Sequence, residues 1–165
     1  MRAVTLFGLL AGSATSKALK YAIPLSLKAT DCTLPANYTV TNFTIYTNSV
    51  DSSKNTTSFG FVDEDTGIDT FCVRNSTSKP STVASNRWPC DDPLVAFIWQ
   101  TTGIAGLTMI ETACPQSDLG WEASGLITPK LACTNSTSGS TCVATQSILG
   151  DFDSLEPAPR PPPSR

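Results

Sequence analysis

The sequence has 165 residues, of which 40% are hydrophobic and only 15% are charged, with a formal net charge of −3. This length predicts one domain, and the absence of histidine excludes Ser-His-Asp and Cys-His sites and the commonest zinc and copper ligand. No run of lysine or arginine offsets the acidic balance, so neither nucleic acid nor an anionic membrane is expected as a partner.

Residues 1–18 are predicted to be a secretory signal peptide. The N-terminus carries a positive charge and is followed by an apolar run and then by small residues. Cleavage is expected after Ala14 or Ala18. The apolar run is too short to span a bilayer, and no other stretch approaches the required length. We therefore expect a secreted, extracellular protein in which residues 19–31 form an N-terminal linker.

The first half of the remaining chain has the pattern of short strands. Residues 38–47 are rich in β-branched and aromatic side chains, and their alternation changes phase at Asn42, which predicts a β-bulge. A polar loop at 48–56 leads to a strand with two alternating phenylalanines. The acidic turn at 63–67 then closes a hairpin into residues 68–73.

The second half continues this pattern. A polar loop at 74–86 precedes residues 94–100, which are apolar on both faces, as in a strand buried on each side or closing a barrel. Alternating strands are predicted at 107–112 and 121–127, and a last strand at 143–149.

Together these elements predict an all-β fold, a single-domain antiparallel β-barrel or sandwich, over residues 32–152. No window of a dozen residues shows an apolar stripe with a period of 3.6 residues. The Pro-rich tail, 153–165, is predicted to be a disordered polyproline-II extension, because prolines cannot donate backbone hydrogen bonds to a sheet.

Six cysteines follow the predicted signal peptide. An even number of cysteines in an exported chain implies disulfides, although the residues alone leave the connectivity open. The last two bracket a short polar loop. The cysteines are Cys32, Cys72, Cys90, Cys114, Cys133 and Cys142.

Five Asn-X-Thr sequons also agree with export. The last three lie in polar stretches and are the favoured glycosylation sites, whereas the second lies in a strand-like run. The sequons begin at Asn37, Asn42, Asn55, Asn75 and Asn135.

The acidic cluster Asp63, Asp65 and Asp69 is the one candidate for a metal site. An EF-hand loop requires glycine at its sixth position and glutamate at its twelfth. Counted from Asp63, these positions hold Ile68 and Arg74. We therefore interpret the cluster as a hairpin turn and expect no metal and no cofactor.

Glu111 and Glu122 each lie in an apolar strand and could form a pair of catalytic carboxylates. A carboxylate-dependent glycan hydrolase is therefore one alternative, but no defined motif supports it. Trp88, Trp99 and Trp121 could form a sugar-stacking platform, but we interpret them as core residues, with Trp99 buried and Trp88 packed on a disulfide.

Four features in a fixed order carry a family resemblance. Cys32 precedes the aromatic-rich first strand, Cys72 and a polar loop precede Trp88-Pro-Cys90, and a Phe/Trp strand follows. The segment 121–133 then ends in a cysteine, and the last cysteine follows nine residues further on. Over about residues 32–150 the chain resembles a family of secreted fungal proteins named for the major allergen of Alternaria.

The resemblance implies a compact antiparallel β-barrel, secreted by fungi, that acts by binding as an allergen or as an effector or elicitor in the plant apoplast. An internal partner for the first cysteine would argue against a disulfide-linked dimer, so we expect a monomer or a non-covalent dimer. By position the resemblance implies these disulfides: Cys72 with Cys90, Cys133 with Cys142 and, from the two that remain, Cys32 with Cys114.

We therefore expect a non-enzymatic recognition protein, an apoplastic effector or elicitor that binds a host extracellular protein through exposed loops. The candidate loops are 48–57, 74–87 and 115–120.

A second alternative is a barrel that binds a small apolar ligand in an internal pocket. Such a pocket would require small inward-facing residues around Gly103, Gly106 and Gly125.

Overall fold

The computed structural model describes residues 18–28, 32–116 and 120–159. Within these residues the chain forms one short α-helix, one turn of 3-10 helix (Ser52–Lys54) and eleven strands. The elements are α1 (Leu25–Lys28), β1 (Asn37–Asn48), β2 (Thr56–Asp63), β3 (Ile68–Arg74), β4 (Trp88–Pro89), β5 (Val95–Gln100), β6 (Gly106–Ala113), β7 (Trp121–Ile127), β8 (Leu131–Ser136), β9 (Gly139–Ala144), β10 (Ile148–Asp151) and β11 (Ser154–Pro157).

In the described part of the chain the strands form two antiparallel sheets. The first has the order β3-β2-β1-β9-β8, and β10 pairs with the start of β1, from Asn37 to Val40. The second has the order β11-β7-β6-β5-β4. The predicted all-β fold is confirmed.

A β-bulge at Asn42 sets which side chains of β1 reach the core. Asn42 has a φ of 53°, and the register with β2 shifts between Thr41 and Thr44. Val40 and Phe43 are three residues apart and would face opposite sides of a regular strand, yet both are fully buried. The extra residue in the bulge turns both inward, so the bulge predicted at this position is confirmed.

Aromatic side chains fill the space between the two sheets. Phe59 of β2 meets Phe97 of β5 edge to face, with ring centroids 5.0 Å apart, and this contact joins the sheets. Phe43 packs on Phe59 at 5.5 Å, and Tyr38 packs on Phe152 at 4.8 Å. Burying each such side chain contributes on the order of 1.5–3 kcal/mol, so this cluster provides much of the stability.

The three glycines expected around an internal ligand pocket have structural roles instead. A Cβ on Gly125 would collide with the carbonyl oxygen of Asp151, and one on Gly106 would lie 2.6 Å from the carbonyl oxygen of Ile127. Gly103 lies in an exposed turn with a φ of +73°. Glycine therefore allows close backbone approach or a turn at these positions, and the prediction of a pocket around them is wrong.

The C-terminal cysteine pair lies in strands and not on either side of a loop. Cys133 of β8 and Cys142 of β9 are direct cross-strand partners, and residues 137–138 alone form the turn. The predicted strand 143–149 is divided between β9 and β10. Because β8 is exposed along nearly its whole length, it lacks the apolar alternation that reveals half-buried strands.

The tail contributes a strand where disorder was predicted from residue 153 onward. Residues 154–157 form β11, which pairs with β7. An edge strand needs hydrogen-bond partners on one side only, and Pro157 at its end loses little by lacking an N–H. Residues 160–165 lie outside the described residues.

The segment predicted as an N-terminal linker packs onto the domain in its described part. Leu27 of α1 is 4% exposed, and Tyr21 packs against the core. The Nζ of Lys20 lies 2.7 Å from Oδ2 of Asp151. Of the predicted signal peptide, only Ala18 is among the described residues.

In the described part of the chain, no helix has both the length and the apolar character needed to span a bilayer.

We predict that Gly125→Ala lowers the free energy of unfolding by about 3 kcal/mol, because the added methyl group must displace backbone atoms. Gly103→Ala is the matched control: nothing lies within 4 Å of its added Cβ, so only the strain of a positive φ remains, about 1 kcal/mol. Urea denaturation under oxidising conditions measures both, and equal losses would contradict the close packing at Gly125.

Candidate functional site

All six cysteines lie in the described residues and are joined in the three pairs that the family resemblance implies. One disulfide joins the first sheet, at β3, to the residue after β4 in the second. Another ties the segment before β1 to the residue after β6, so the first cysteine is not available to link two chains. No free cysteine remains as a nucleophile or thiolate ligand. The pairs are Cys72–Cys90, Cys133–Cys142 and Cys32–Cys114.

Glu111 and Glu122 do not form the carboxylate pair that a hydrolase would need. Glu111 of β6 is the cross-strand partner of Ala123, which is the residue next to Glu122 in β7. Successive side chains of a strand point to opposite faces, so the two glutamates lie on opposite sides of the sheet. Glu122 instead accepts two hydrogen bonds, of 2.7 and 2.8 Å, from the guanidinium of Arg87. The predicted pairing is therefore wrong.

Glu111 lies beside a different carboxyl group, that of Asp63 at the end of β2. Both residues are 0% exposed. The Oδ1 atom of Asp63 accepts hydrogen bonds from the backbone N–H groups of Asp65, at 2.7 Å, and Thr66, at 3.3 Å. The acidic segment is thus a side-chain-capped turn, as interpreted from the sequence. Among the described residues, no three His, Cys, Asp or Glu side chains are grouped closely enough to hold a metal ion.

Burial changes the protonation of this carboxyl pair. Desolvation by burial and the neighbouring charge of Asp63 together raise the pKa of Glu111 to about 8, against a hydrogen bond from the Thr66 hydroxyl that lowers it. Burial also raises the pKa of Asp63, against the hydrogen bonds donated by the backbone of Asp65 and Thr66. At neutral pH Glu111 is therefore mostly protonated.

Tyr21 is the neighbouring titratable group from the N-terminal segment. Its phenol donates a hydrogen bond of 2.5 Å to the carbonyl oxygen of Pro35. Burial raises the pKa of Tyr21, and the charges of Glu111 and Asp63 raise it further. The phenol therefore stays neutral.

A pocket of about 220 Å³ lies beside Glu111. Its lining includes Glu111 and Thr66, whose side-chain oxygens are buried behind the surface, and the apolar residues Ile68 and Leu94. The Cys32–Cys114 disulfide borders the same pocket. These residues come from the N-terminal segment, the β2–β3 turn, the segment before β5 and the end of β6.

The alternation of side chains along two strands indicates these buried acids. Phe59, Phe61 and Asp63 alternate along β2, as do Met109 and Glu111 along β6, and all five are fully buried. An acidic residue at an inward-facing position of each strand predicts two buried carboxyl groups. That they meet at the same end depends on how the sheets pack.

Two of the three candidate loops meet at the opposite end of the first sheet. Thr57 pairs with Arg74, so the loops that precede β2 and follow β3 are neighbours. The β8–β9 turn joins them, because the N–H of Ser49 donates a hydrogen bond of 3.1 Å to the carbonyl oxygen of Ser138. The third loop, 115–120, follows β6 beside the pocket, and residues 117–119 lie outside the described part. We call residues 48–55, 74–87 and 137–138 the loop surface.

The first loop of this surface is held by its own side chains. The Oδ1 atom of Asn48 accepts hydrogen bonds from the N–H groups of Val50, at 3.0 Å, and Asp51, at 2.8 Å. Asn55 in turn accepts a hydrogen bond of 2.8 Å from the N–H of Asn48. The side chain of Val50 is 91% exposed. The loop thus presents an apolar side chain on an ordered backbone.

The tryptophans do not form a shared platform. Trp88 and Trp99 are half-buried and pack against the core, and the Arg74 guanidinium lies 4.9 Å from the ring centroid of Trp88. Trp99 is less buried than predicted because it lies near the end of β5. Trp121 is on β7, paired with Ala113.

Exposure distinguishes the five sequons. Asn42, at the bulge, and Asn135, in β8, are exposed. The others are half-buried, and the Oδ1 atoms of Asn55 and Asn75 accept hydrogen bonds within their own loops. Exposure therefore favours Asn42, which the strand-like sequence around it had made a weaker candidate.

We predict that the free energy of unfolding decreases between pH 4.5 and about 8. The folded-state pKa of Glu111 lies above its ordinary value of 4.5, so its protonated form stabilises the fold at low pH and this contribution is lost as the pH rises towards 8. The slope approaches about 1.4 kcal/mol per pH unit.

Denaturant titrations at pH 5, 6, 7 and 8 measure this slope. Glu111→Gln should flatten it, whereas Glu64→Gln, an exposed site on the adjacent turn, should leave it unchanged. The same slope in Glu111→Gln as in the wild type would show that another group is responsible.

No model of a known protein family matches the sequence, and no curated protein matches it either. Two crystal structures of the Alternaria alternata major allergen Alt a 1 are similar to this structure, with TM-scores of 0.51 and 0.53 and 13% sequence identity. The likeness covers 75% and 76% of this chain and 95% and 91% of the allergen chains. At this identity it establishes the fold, and the chain has the fold of the Alternaria major allergen.

Proposed function

We propose that this protein is a secreted, non-enzymatic recognition protein of a fungus, an apoplastic effector or elicitor that binds a host extracellular protein through the loop surface. The observation that carries the proposal is Val50, which is 91% exposed on a loop whose backbone is held by hydrogen bonds.

Secretion is supported by three independent features. The sequence begins with the pattern of an export signal, and it contains five sequons. All six cysteines are in disulfides, which persist in oxidising compartments and are rare in the cytosol. The fold shared with a known allergen agrees with these features.

A role without catalysis is supported by the available side chains. The chain has no histidine and no free cysteine, so the usual nucleophile and base pairs cannot form. The two glutamates considered for hydrolysis lie on opposite faces of one sheet. Glu122 is engaged by Arg87 and is therefore not available as a second carboxylate for Glu111.

Recognition through the loop surface is supported by its order and its chemistry. Binding by a preformed loop avoids most of the entropic cost of ordering it. Interfaces concentrate their energy in a few central apolar or aromatic anchors surrounded by polar residues. Val50 fits such an anchor, because the residues around it in the loop are Asn, Ser, Asp and Lys.

We predict that Val50→Ser weakens binding to the host protein at least about tenfold and lowers leaf cell death to the same extent, because the apolar anchor is lost. Leu149→Ser is the matched control, since Leu149 is 70% exposed on β10, away from the loop surface. Purified glycosylated proteins are infiltrated into leaves, and binding is measured against apoplastic fluid.

Both variants change exposed side chains and should keep the wild-type melting temperature. A protein that elicits no response and retains no host component would contradict the proposed role. Equal loss in both variants, or in neither, would contradict the assignment of the loop surface.

We predict that glycans occupy Asn42 and Asn135, because these side chains are exposed in the folded domain. Enzymatic deglycosylation of protein secreted from a fungal host, followed by mass spectrometry of the peptides, measures the occupancy at each sequon. Glycans confined to the half-buried sites Asn37, Asn55 and Asn75 would contradict this.

A further inference from the structure

We propose that β8 is an open sheet edge through which two copies of this chain pair, and that a glycan on Asn135, within β8, keeps the secreted protein monomeric. The glycan part of this inference rests on the secretion proposed above. Neither part depends on the binding of a host protein.

The first observation is that one side of β8 has no neighbouring strand. In the described part of the chain, β8 ends the order β3-β2-β1-β9-β8, and its pairing with β9 runs without a register shift from Leu131 to Ser136. Every residue from Ala132 to Ser136 is exposed. The backbone N–H and C=O groups on the free side of an edge strand bond to water, and they can pair with another strand instead.

The other sheet edges that the structure describes are protected. Beside β3, the N–H of Asp91 donates a hydrogen bond of 2.9 Å to the carbonyl oxygen of Phe71. The strand β4 has two residues, one of them Pro89, and β10 has only four. The strand β11 contains Glu156 and ends in Pro157. Short strands, prolines, charges and a covering segment are the usual means by which an edge is kept from pairing.

The sequence of β8 lacks these protective residues. Its six residues, LACTNS, include no proline and no charged side chain. Ala132 is the cross-strand partner of Val143, so the two side chains share a face, and Val143 is 41% exposed. Apolar contact is therefore available beside the free edge, and no charge on β8 opposes the approach of another strand.

The partner that fits this edge is β8 of a second copy. A pairing strand must itself have an open edge, and within the described residues β8 is the strand that offers one without proline, charge or cover. Two antiparallel copies of β8, related by a two-fold axis, would join the first sheets of both chains into one continuous sheet. Strands of this length bury little surface, so we expect a weak dimer.

Asn135 places a modification site inside the same strand. It begins the sequon Asn-Ser-Thr, and its side chain is exposed. A glycan at this position is bulky and solvated, so it would occupy the space that a second β8 must enter. It would protect this edge as a lysine or a proline protects other edge strands.

The first experiment measures the molar mass of the full, oxidised protein by sedimentation at concentrations from about 10 to 500 µM. The glycosylated wild type should stay monomeric. Thr137→Ala removes the sequon of Asn135 and leaves the six residues of β8 unchanged, and its mass should approach that of a dimer as the concentration rises. Thr44→Ala is the matched control, because it removes the sequon of Asn42 and should stay monomeric.

The second experiment tests whether β8 forms the contact. Thr134→Lys, added to Thr137→Ala, should raise the dissociation constant of the dimer at least about tenfold, because the lysine places like charges at the paired edges. Thr82→Lys, added to Thr137→Ala, is the control: Thr82 is exposed in the loop before β4, so this variant should dimerise as Thr137→Ala does. Amide hydrogen exchange within Ala132–Ser136 should slow when Thr137→Ala dimerises.

These variants change polar side chains at or near the surface, and circular dichroism checks that each one folds. If Thr134→Lys does not fold, hydrogen exchange in Thr137→Ala tests the contact by itself. A monomeric Thr137→Ala at the highest concentration, a dimer without slower exchange in β8, or a monomeric wild type without a glycan on Asn135 would each overturn the proposal. The leaf response of the wild type is measured separately, so failure of this proposal and failure of the proposed function are distinguishable.

Discussion

The aromatic packing between the two sheets is the constraint on which the rest of the structure depends. Phe59 meets Phe97 edge to face, and Phe43 packs on Trp99, so residues of β1 and β2 contact residues of β5 across the core. The fully buried aromatic side chains of both sheets lie in one core. The bulge at Asn42 keeps the longest strand in phase with this core. Gly125 allows the backbone of the second sheet to approach Asp151 of the first. Shape and close approach therefore decide the packing, and the disulfides then hold a fold that these contacts already define.

The buried acids follow from the same alternation that builds the core. Along β2, the inward position after two phenylalanines holds Asp63, and along β6 the inward position after Met109 holds Glu111. Burial disfavours the charged form of both groups, so the pair retains a proton at a pH where exposed carboxyls are ionised. Placing two acids here costs stability that a leucine pair would have provided.

The two ends of the domain differ in chemistry. One end carries the loop surface, where polar side chains hold the backbone and present Val50 to solvent. The other carries a pocket beside the buried Glu111, closed on one side by the Cys32–Cys114 disulfide.

The sequence by itself determined the all-β class, the bulge at Asn42, the acidic hairpin turn and the absence of any histidine chemistry, because these depend on local patterns or on composition. Exposed strands such as β8 and β11 lack an apolar alternation, so no local pattern marks them. Only the tertiary structure decided that Glu111 lies beside Asp63 and not beside Glu122. Alternation along a strand fixes which face a side chain occupies, but which residue it meets across the core depends on the angle and offset at which two sheets pack.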